Sequence, residues 1–166
     1  MVHTLRLVLS VVVVLSVAAC TATKEKIAPV LPADTELTLE MKVNGDINPD
    51  DNNVPSPLFV RMYELKSDKA FLKTGFLDIY EKDKQLFGGE LLVKHELKHL
   101  VPGQGVTSKY TLTKETQYIG VYAEFVQYKD AEYKLAVPVV KKIDGSMRLV
   151  VSVSGNSIKI DQSVNE

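Results

Sequence analysis

In the stretch Thr35 to Asn44, TELTLEMKVN, Leu37, Leu39, Met41 and Val43 alternate with Thr38, Glu40, Lys42 and Asn44. A period of two sends every second side chain to the same face, so the stretch predicts a half-buried strand. The alternation recurs downstream. Leu91, Val93, His95, Leu97 and His99 alternate with Leu92, Lys94, Glu96 and Lys98, and Val106, Ser108, Tyr110 and Leu112 with Thr107, Lys109, Thr111 and Thr113. Leu58 to Leu65 (LFVRMYEL) and Tyr118 to Val126 (YIGVYAEFV) are apolar enough on both faces to lie centrally in a sheet. Tyr133 to Val140 carries Pro138, which lacks a backbone donor and so belongs at a sheet edge or a strand end. Met147 to Ser154 and the residues around Ile158 and Ile160 complete the set, joined at Gly155-Asn156 by a two-residue hairpin signal. The prediction is a mainly β fold, an antiparallel two-sheet β-sandwich of about eight strands.

The connections are as legible as the strands. Residues Asn44 to Pro57 (NGDINPDDNNVPSP) are dense in Gly, Asn, Asp and Pro, which favour turns, and predict a long loop. Pro102-Gly103, Lys129-Asp130 and Asp144-Gly145 mark further turns. One short helix is expected within Ser67 to Phe87. There Phe76, Ile79, Tyr80, Leu86 and Phe87 approximate a 3.6 period, Thr74 offers a cap, and Gly88-Gly89 supplies a stop.

Upstream of Thr35 the character changes. Arg6 is followed by Leu7 to Val17, an almost unbroken Leu and Val run of eleven residues, and then by Ala18-Ala19-Cys20. A transmembrane helix needs roughly 20 apolar residues, so a short run behind a positive charge reads as a secretory signal spanning 1–19. Val17-Ala18-Ala19-Cys20 resembles the lipobox of bacterial lipoprotein precursors, which implies diacylglyceryl transfer to the Cys20 sulfur followed by cleavage before it. Cys20 is the only cysteine of the chain, and an unpaired thiol in an oxidising compartment is otherwise a liability. Lipid chains contribute about 0.8 kcal/mol per buried methylene, so two or three of them anchor stably. Thr21 stands where an Asp would favour inner-membrane retention, so the resemblance implies an outer-membrane anchor with the domain in the periplasm. Residues 20–34, with two prolines and no sustained period, read as a lipidated tether. At about 3.3 Å per residue Thr21 to Asp34 spans roughly 45 Å when extended. The folded domain is assigned to 35–166.

Removing residues 1–19 from 166 leaves 147, enough for one domain with a real core. The mature chain keeps 19 basic and 21 acidic residues. It has no basic stripe and no aromatic set interleaved with Arg, so composition points away from nucleic acid.

Two motifs imitate metal sites. His95-Glu96-Leu97-Lys98-His99 matches HExxH, in which two histidines on one helix face hold zinc and the Glu activates water. The surrounding period is two, and on a strand residues four apart lie roughly 13 Å apart, too far to share one ion. The remaining histidine, His3, leaves with the signal. The plain reading makes both imidazoles strand residues on the face of Val93 and Leu97. Asp46, Asn48 and Asp50 imitate the start of a calcium loop, yet Asp51 stands where that loop needs Gly and Pro57 where it needs Glu. The plain reading is a turn-rich surface loop, and long loops on rigid scaffolds are where binding surfaces sit. No GxSxG elbow or phosphate loop is present, so no catalytic residue and no cofactor beyond the lipid on Cys20 is assigned.

Asn48-Pro49-Asp50, followed by Pro55-Ser56-Pro57-Leu58-Phe59-Val60-Arg61-Met62-Tyr63-Glu64-Leu65, resembles the pattern NPD, spacer, RPSPVVVRIYQL of the TssJ or SciN lipoproteins of type VI secretion systems. The likeness continues through Phe76-Leu77-Asp78-Ile79-Tyr80, Pro102-Gly103-Gln104 and Tyr118-Ile119-Gly120-Val121-Tyr122-Ala123-Glu124-Phe125. The chain departs from the pattern at Val54, where Arg is usual, at Glu64 in place of Gln, and at Tyr133 in place of Trp. The resemblance implies a transthyretin-like sandwich that is lipid-anchored in the outer membrane. It further implies binding to the periplasmic C-terminal region of TssM, so that the envelope-spanning complex is tethered. The loop residues Asp46, Asn48, Asp50, Asp51, Asn52, Asn53, Val54 and Pro55 are the expected partner-binding surface. Two other classes remain open from sequence: a small-ligand-binding sandwich lipoprotein, and a zinc metalloprotease built on His95, Glu96 and His99.

Overall fold

Leu37, Leu39 and Met41 are at most 1 % exposed, so the alternation that predicts the first strand does place one of its faces in a core. The computed structural model describes residues 34–140 and 142–161. The signal, Cys20 and the tether as far as residue 33 lie outside the described residues. Within them the order is β1 (Thr35–Val43), β2 (Val60–Leu65), α1 (Lys69–Lys73), α2 (Phe76–Phe87), β3 (Leu91–Glu96), β4 (Val106–Leu112), β5 (Tyr118–Ala123), β6 (Lys134–Pro138), β7 (Ser146–Ser154) and β8 (Ser157–Ile160). Two four-stranded sheets result, ordered β4-β1-β7-β8 and β3-β2-β5-β6. β2 and β5 are central, as their two-sided apolar character requires, and β6 with Pro138 is an edge.

The inner faces meet in one core. Leu37, Leu39 and Met41 of β1 and Leu149, Val151 and Val153 of β7 pack against Val60 and Met62 of β2 and Ile119, Val121 and Ala123 of β5. The sandwich is not wholly antiparallel. β1 pairs antiparallel with β4, Leu37 opposite Tyr110, but parallel with β7, Leu39 opposite Leu149. Alternation fixes which face is buried and is blind to strand direction, so both pairings share one sequence pattern.

A third layer covers the outer face of the second sheet. Tyr63 and Leu65 of β2 and Tyr122 of β5 point away from the inter-sheet core and join Phe71, Ile79 and Phe87 of the helices in a second buried cluster. Tyr63, Phe71 and Phe87 pack as a trio with ring centroids 5.3–5.7 Å apart. A fully buried aromatic of this kind contributes about 1.5–3 kcal/mol by burial alone. α2 matches the expected helix, but it begins after Gly75 with no side-chain cap. Thr74 instead ends α1, its Oγ1 donating to the Ala70 carbonyl at 2.8 Å. The five-residue α1 is too short to stand on its own propensity. Phe71, at 1 % exposure, anchors it, and Lys134 Nζ of β6 donates to the Phe71, Leu72 and Thr74 carbonyls at 3.1, 2.7 and 2.5 Å.

Charged groups lock the layers together. Asp83 on α2 accepts from Tyr63 Oη at 2.9 Å, Lys94 Nζ at 2.8 Å and Arg61 Nη1 at 3.2 Å. Glu64, 1 % exposed, faces the inter-sheet side and accepts from His95 Nε2 at 2.8 Å, the Thr113 N–H at 2.8 Å and Thr116 Oγ1 at 2.7 Å. Burial alone would raise the Glu64 carboxyl, but the hydrogen bonds from Thr116, His95 and Thr113 outweigh it and hold it below its ordinary 4.5.

Two predictions follow from this packing. A Cβ at Gly120 would lie 3.1 Å from Phe71 Cζ and 3.2 Å from Leu65 Cδ1, so Gly120→Val should destabilise by about 1–3 kcal/mol through overpacking, read as a lower urea midpoint with unchanged slope. Because Glu64 is depressed in the folded state, the stability it contributes is complete above pH 4.5 and is lost as pH falls through its lower folded value. Glu64→Gln should therefore be less stable than wild type at neutral pH, and that deficit should shrink on acidification; a constant deficit would refute the assignment.

Candidate functional site

Sixteen residues, 44–59, connect β1 to β2, and a loop the length of its turn-rich part, 44–57, needs internal support to hold a shape. It has it. The Asn44 N–H donates to the Val153 carbonyl at 3.0 Å, the Gly103 N–H to the Asn44 carbonyl at 2.9 Å and the Asn48 N–H to the Gly155 carbonyl at 2.8 Å. Ile47 is fully buried and plugs the loop into the inter-sheet core. One end of the sandwich is thus built from this loop, the β7–β8 hairpin tip, the turn at 101–104 and the segment after β5.

The polar residues divide into braces and surface. Asn48 is 2 % exposed and adopts φ +48°, a left-handed conformation that Asn tolerates better than most residues. Its Nδ2 donates to the Pro57 carbonyl at 2.9 Å, and its Oδ1 accepts from the Val126 N–H at 2.9 Å. Both halves of its amide are used, and they join the two ends of the loop to the segment after β5. Asp50 Oδ1 accepts from the N–H groups of Asn52 at 2.8 Å and Val54 at 2.9 Å, closing an Asx-type turn. Gln127 Nε2 donates to the Asp50 carbonyl at 2.9 Å. Asp46 accepts from the Gly155 N–H at 3.2 Å and from Ser154 Oγ at 3.4 Å. The three side chains that imitate a calcium loop are spent as hydrogen-bond acceptors and donors inside the fold. Asp51, Asn52, Asn53, Val54 and Pro55 are exposed, with Val54 at 55 %.

Sequence reasoning did not find the residues that complete this end. Val126, exposed at 58 %, and Gln127 are drawn beside the loop by Asn48 and Asp50. Gly155-Asn156 is legible as a hairpin, but nothing local says that it meets a loop more than a hundred residues earlier.

The HExxH match is divided between two environments. β3 ends at Glu96, so His95 is a strand residue and His99 is not, contrary to the expectation of two strand histidines on one face. His95 lies opposite Met62 in register, turned toward Glu64, with its ring 4.9 Å from Tyr110. His99 packs on Phe59, centroids 3.8 Å apart. Among the described residues, no three His, Cys, Asp or Glu side chains converge as a metal site requires.

These elements make a mixed two-sheet sandwich with a helical outer layer and a pre-braced loop at one end. Residues 35–156 match the sequence profile of the T6SS-SciN family, described as type VI secretion lipoprotein, VasD, EvfM, TssJ. The chain belongs to this family. Solved structures agree on the fold. The T6SS lipoprotein TssJ1 from Pseudomonas aeruginosa matches with a TM-score of 0.72 at 23 % identity, covering 78 % of this chain and 96 % of that one. Serratia marcescens Lip, a membrane-bound component of the type VI secretion system, matches with a TM-score of 0.70 at 19 % identity, covering 77 % and 98 %. A chain of a type VI membrane complex matches with a TM-score of 0.69 at 21 % identity, covering 78 % and 99 %. No curated protein matches.

Asn48→Ala tests the brace. It strips the Val126 N–H and the Pro57 carbonyl of their partners, an expected cost of about 1–3 kcal/mol, and it should speed amide hydrogen exchange at Val126 and across 50–54 while the strands stay protected. Unchanged exchange there would show that the loop does not depend on Asn48.

Proposed function

We propose that this chain is the lipid-anchored member of a type VI secretion membrane complex, fastened to the outer membrane through acyl chains on Cys20. In this reading residues 1–19 are the export signal, 20–34 the tether and 35–166 the periplasmic domain. The sandwich end carrying the loop 44–57 binds the periplasmic C-terminal region of TssM. The protein works by binding, and no catalytic step is assigned to it.

The family match over 35–156 carries the proposal. A chain in a structure of the T6SS protein TssM C-terminal domain from EAEC also shares the fold, with a TM-score of 0.63 at 22 % identity. The loop supports the binding role physically. Its tip is held in shape by Asp50 and Asn48 before any partner arrives, so docking does not bear the ordering cost of about 1–2 kcal/mol per backbone residue that a floppy segment would. Tethering adds local concentration, which lets modest contacts assemble tightly when several copies act together.

Two arms test the reading. Asp51→Lys with Val54→Glu alters the exposed tip and leaves both braces in place, so the unfolding midpoint should hold. Affinity for purified TssM C-terminal region should drop about ten-fold or more, as for loss of an interface hot spot; unchanged affinity would remove the loop from the interface. Cys20→Ser should yield an exported chain that partitions into the aqueous phase of a detergent extraction, and a variant that still fractionated with the membrane would overturn the lipid anchor.

A further inference from the structure

The helical layer covers only part of the outer face of the β3-β2-β5-β6 sheet. Beside Phe59, which is 50 % exposed, a cleft of about 200 Å³ opens, its lining including Phe59, Arg61, Glu96, His99 and Glu124. This strip is set by register. Arg61 lies opposite Glu96 across β2 and β3, and the Glu124 N–H donates to the Phe59 carbonyl at 2.9 Å, so these four side chains share the outer face. The volume is several times a water's share of about 30 Å³ and below the roughly 300–1,000 Å³ of small-molecule sites. It suits the head of one large side chain.

The chemistry of the walls selects which. Arg61 is already committed. Its Nη2 pairs with Glu124 Oε1 at 2.6 Å, and its Nη1 reaches Asp83 Oδ2 at 3.2 Å and the Tyr80 carbonyl at 3.3 Å. An incoming anion would have to compete with both carboxylates for a guanidinium whose side chain is 13 % exposed. Glu96, by contrast, is 77 % exposed and only loosely approached by Lys94 Nζ at 3.6 Å. Counting Arg61 and Lys94 against Asp83, Glu96 and Glu124, the network carries one surplus negative charge at the cleft. On the rim, Phe59 is 50 % exposed and His99 packs against it at a 57° tilt, offering an aromatic surface. A carboxylate to accept a forked donor beside a ring on which a planar cation can stack is what a guanidinium uses, and an ammonium uses it less well.

We propose that this cleft is a docking pocket for an arginine side chain presented by a protein partner, with Glu96 as the ionic acceptor and Phe59 as the stacking wall. Phe59 lies two residues beyond Pro57, so the pocket abuts the braced loop, and its acceptor and ring are in place whatever that loop binds.

The test is a two-dimensional NMR titration of the isotope-labelled full chain in detergent micelles. The probe is N-acetyl-arginine amide, with N-acetyl-lysine amide and N-acetyl-glutamate amide as controls. The arginine probe should give saturable shifts in the low millimolar range, confined to the amides of Val60, Arg61, Glu96 to His99 and Glu124. Glu96→Gln and Phe59→Ala should each weaken the response about three-fold or more, the scale of one exposed ion pair or one exposed cation–π contact. Both side chains are exposed, so neither change should disturb shifts elsewhere. Equal binding of the lysine probe would overturn the choice of arginine. Stronger binding of the glutamate probe, or shifts that rise linearly without saturating, would overturn the pocket.

Discussion

Strand β2 has no face in solvent, and the rest of the structure answers that constraint. Val60 and Met62 lie in the inter-sheet core, while Tyr63 and Leu65 lie under the helices. Two of its six residues are charged and must be neutralised where water cannot do it. Removing an unpaired ion from water costs several kcal/mol, and each is met by more than one partner. Glu64 receives Thr116, His95 and the Thr113 N–H; Arg61 receives Asp83 and Glu124. Asp83 is supplied by α2, so the helix closes the charge network as well as covering Tyr63. Burial alone would raise its carboxyl, and the bonds from Lys94 and Tyr63 outweigh that and hold it below the ordinary range.

The same constraint shapes the loop end. The helices are fixed over Tyr63 and Tyr122, while Phe59, ahead of β2, is 50 % exposed. At the sheet end that carries the loop 44–57, polar side chains do what helices do elsewhere. Asn48 ties the loop to the segment after β5, Asp50 closes its tip, and Asp46 holds the β7–β8 hairpin. The family's lipoproteins share the sandwich at about one-fifth sequence identity, so the scaffold persists through extensive substitution.

Legibility in the sequence followed the range of the forces involved. Burial of one strand face writes a period of two, and the strands at 35–43, 106–112 and 146–154 are legible from it. Turns write themselves in the residues that accept positive φ, as at Gly103, Gly145 and Gly155. α1 left no such mark, because a five-residue helix is held by Phe71 and by Lys134 from a strand sixty residues away. Burial pushes the Lys134 ammonium below its ordinary value. The parallel β1–β7 pair was hidden because one-sided strands look alike in either direction. HELKH shows the converse case, in which a literal motif match is outweighed by the period around it. Within the loop, composition announced a turn-rich surface but could not separate Asn48, buried and fully bonded, from Asn52 and Asn53, exposed at the tip. That distinction depends on Val126 and Pro57, and so on tertiary contact.

A braced loop and a lipid tether act on different parts of the free energy of association. The brace removes conformational freedom from the loop before binding, so the gain appears in every encounter and does not depend on concentration. A tether leaves the contact unchanged and raises the frequency with which it is offered, by confining the partners to one envelope. A sandwich end with a preformed tip can therefore function with few strong contacts, provided it is held nearby. A freely diffusing version would need a larger or more apolar interface to reach the same occupancy. The exposed hydrophobic side chains at this end are single and spread over several segments, Val54 in the loop, Phe59 just after it, Val101 in a turn and Val126 after β5. In the proposed reading, attachment through Cys20 would add to what those contacts supply.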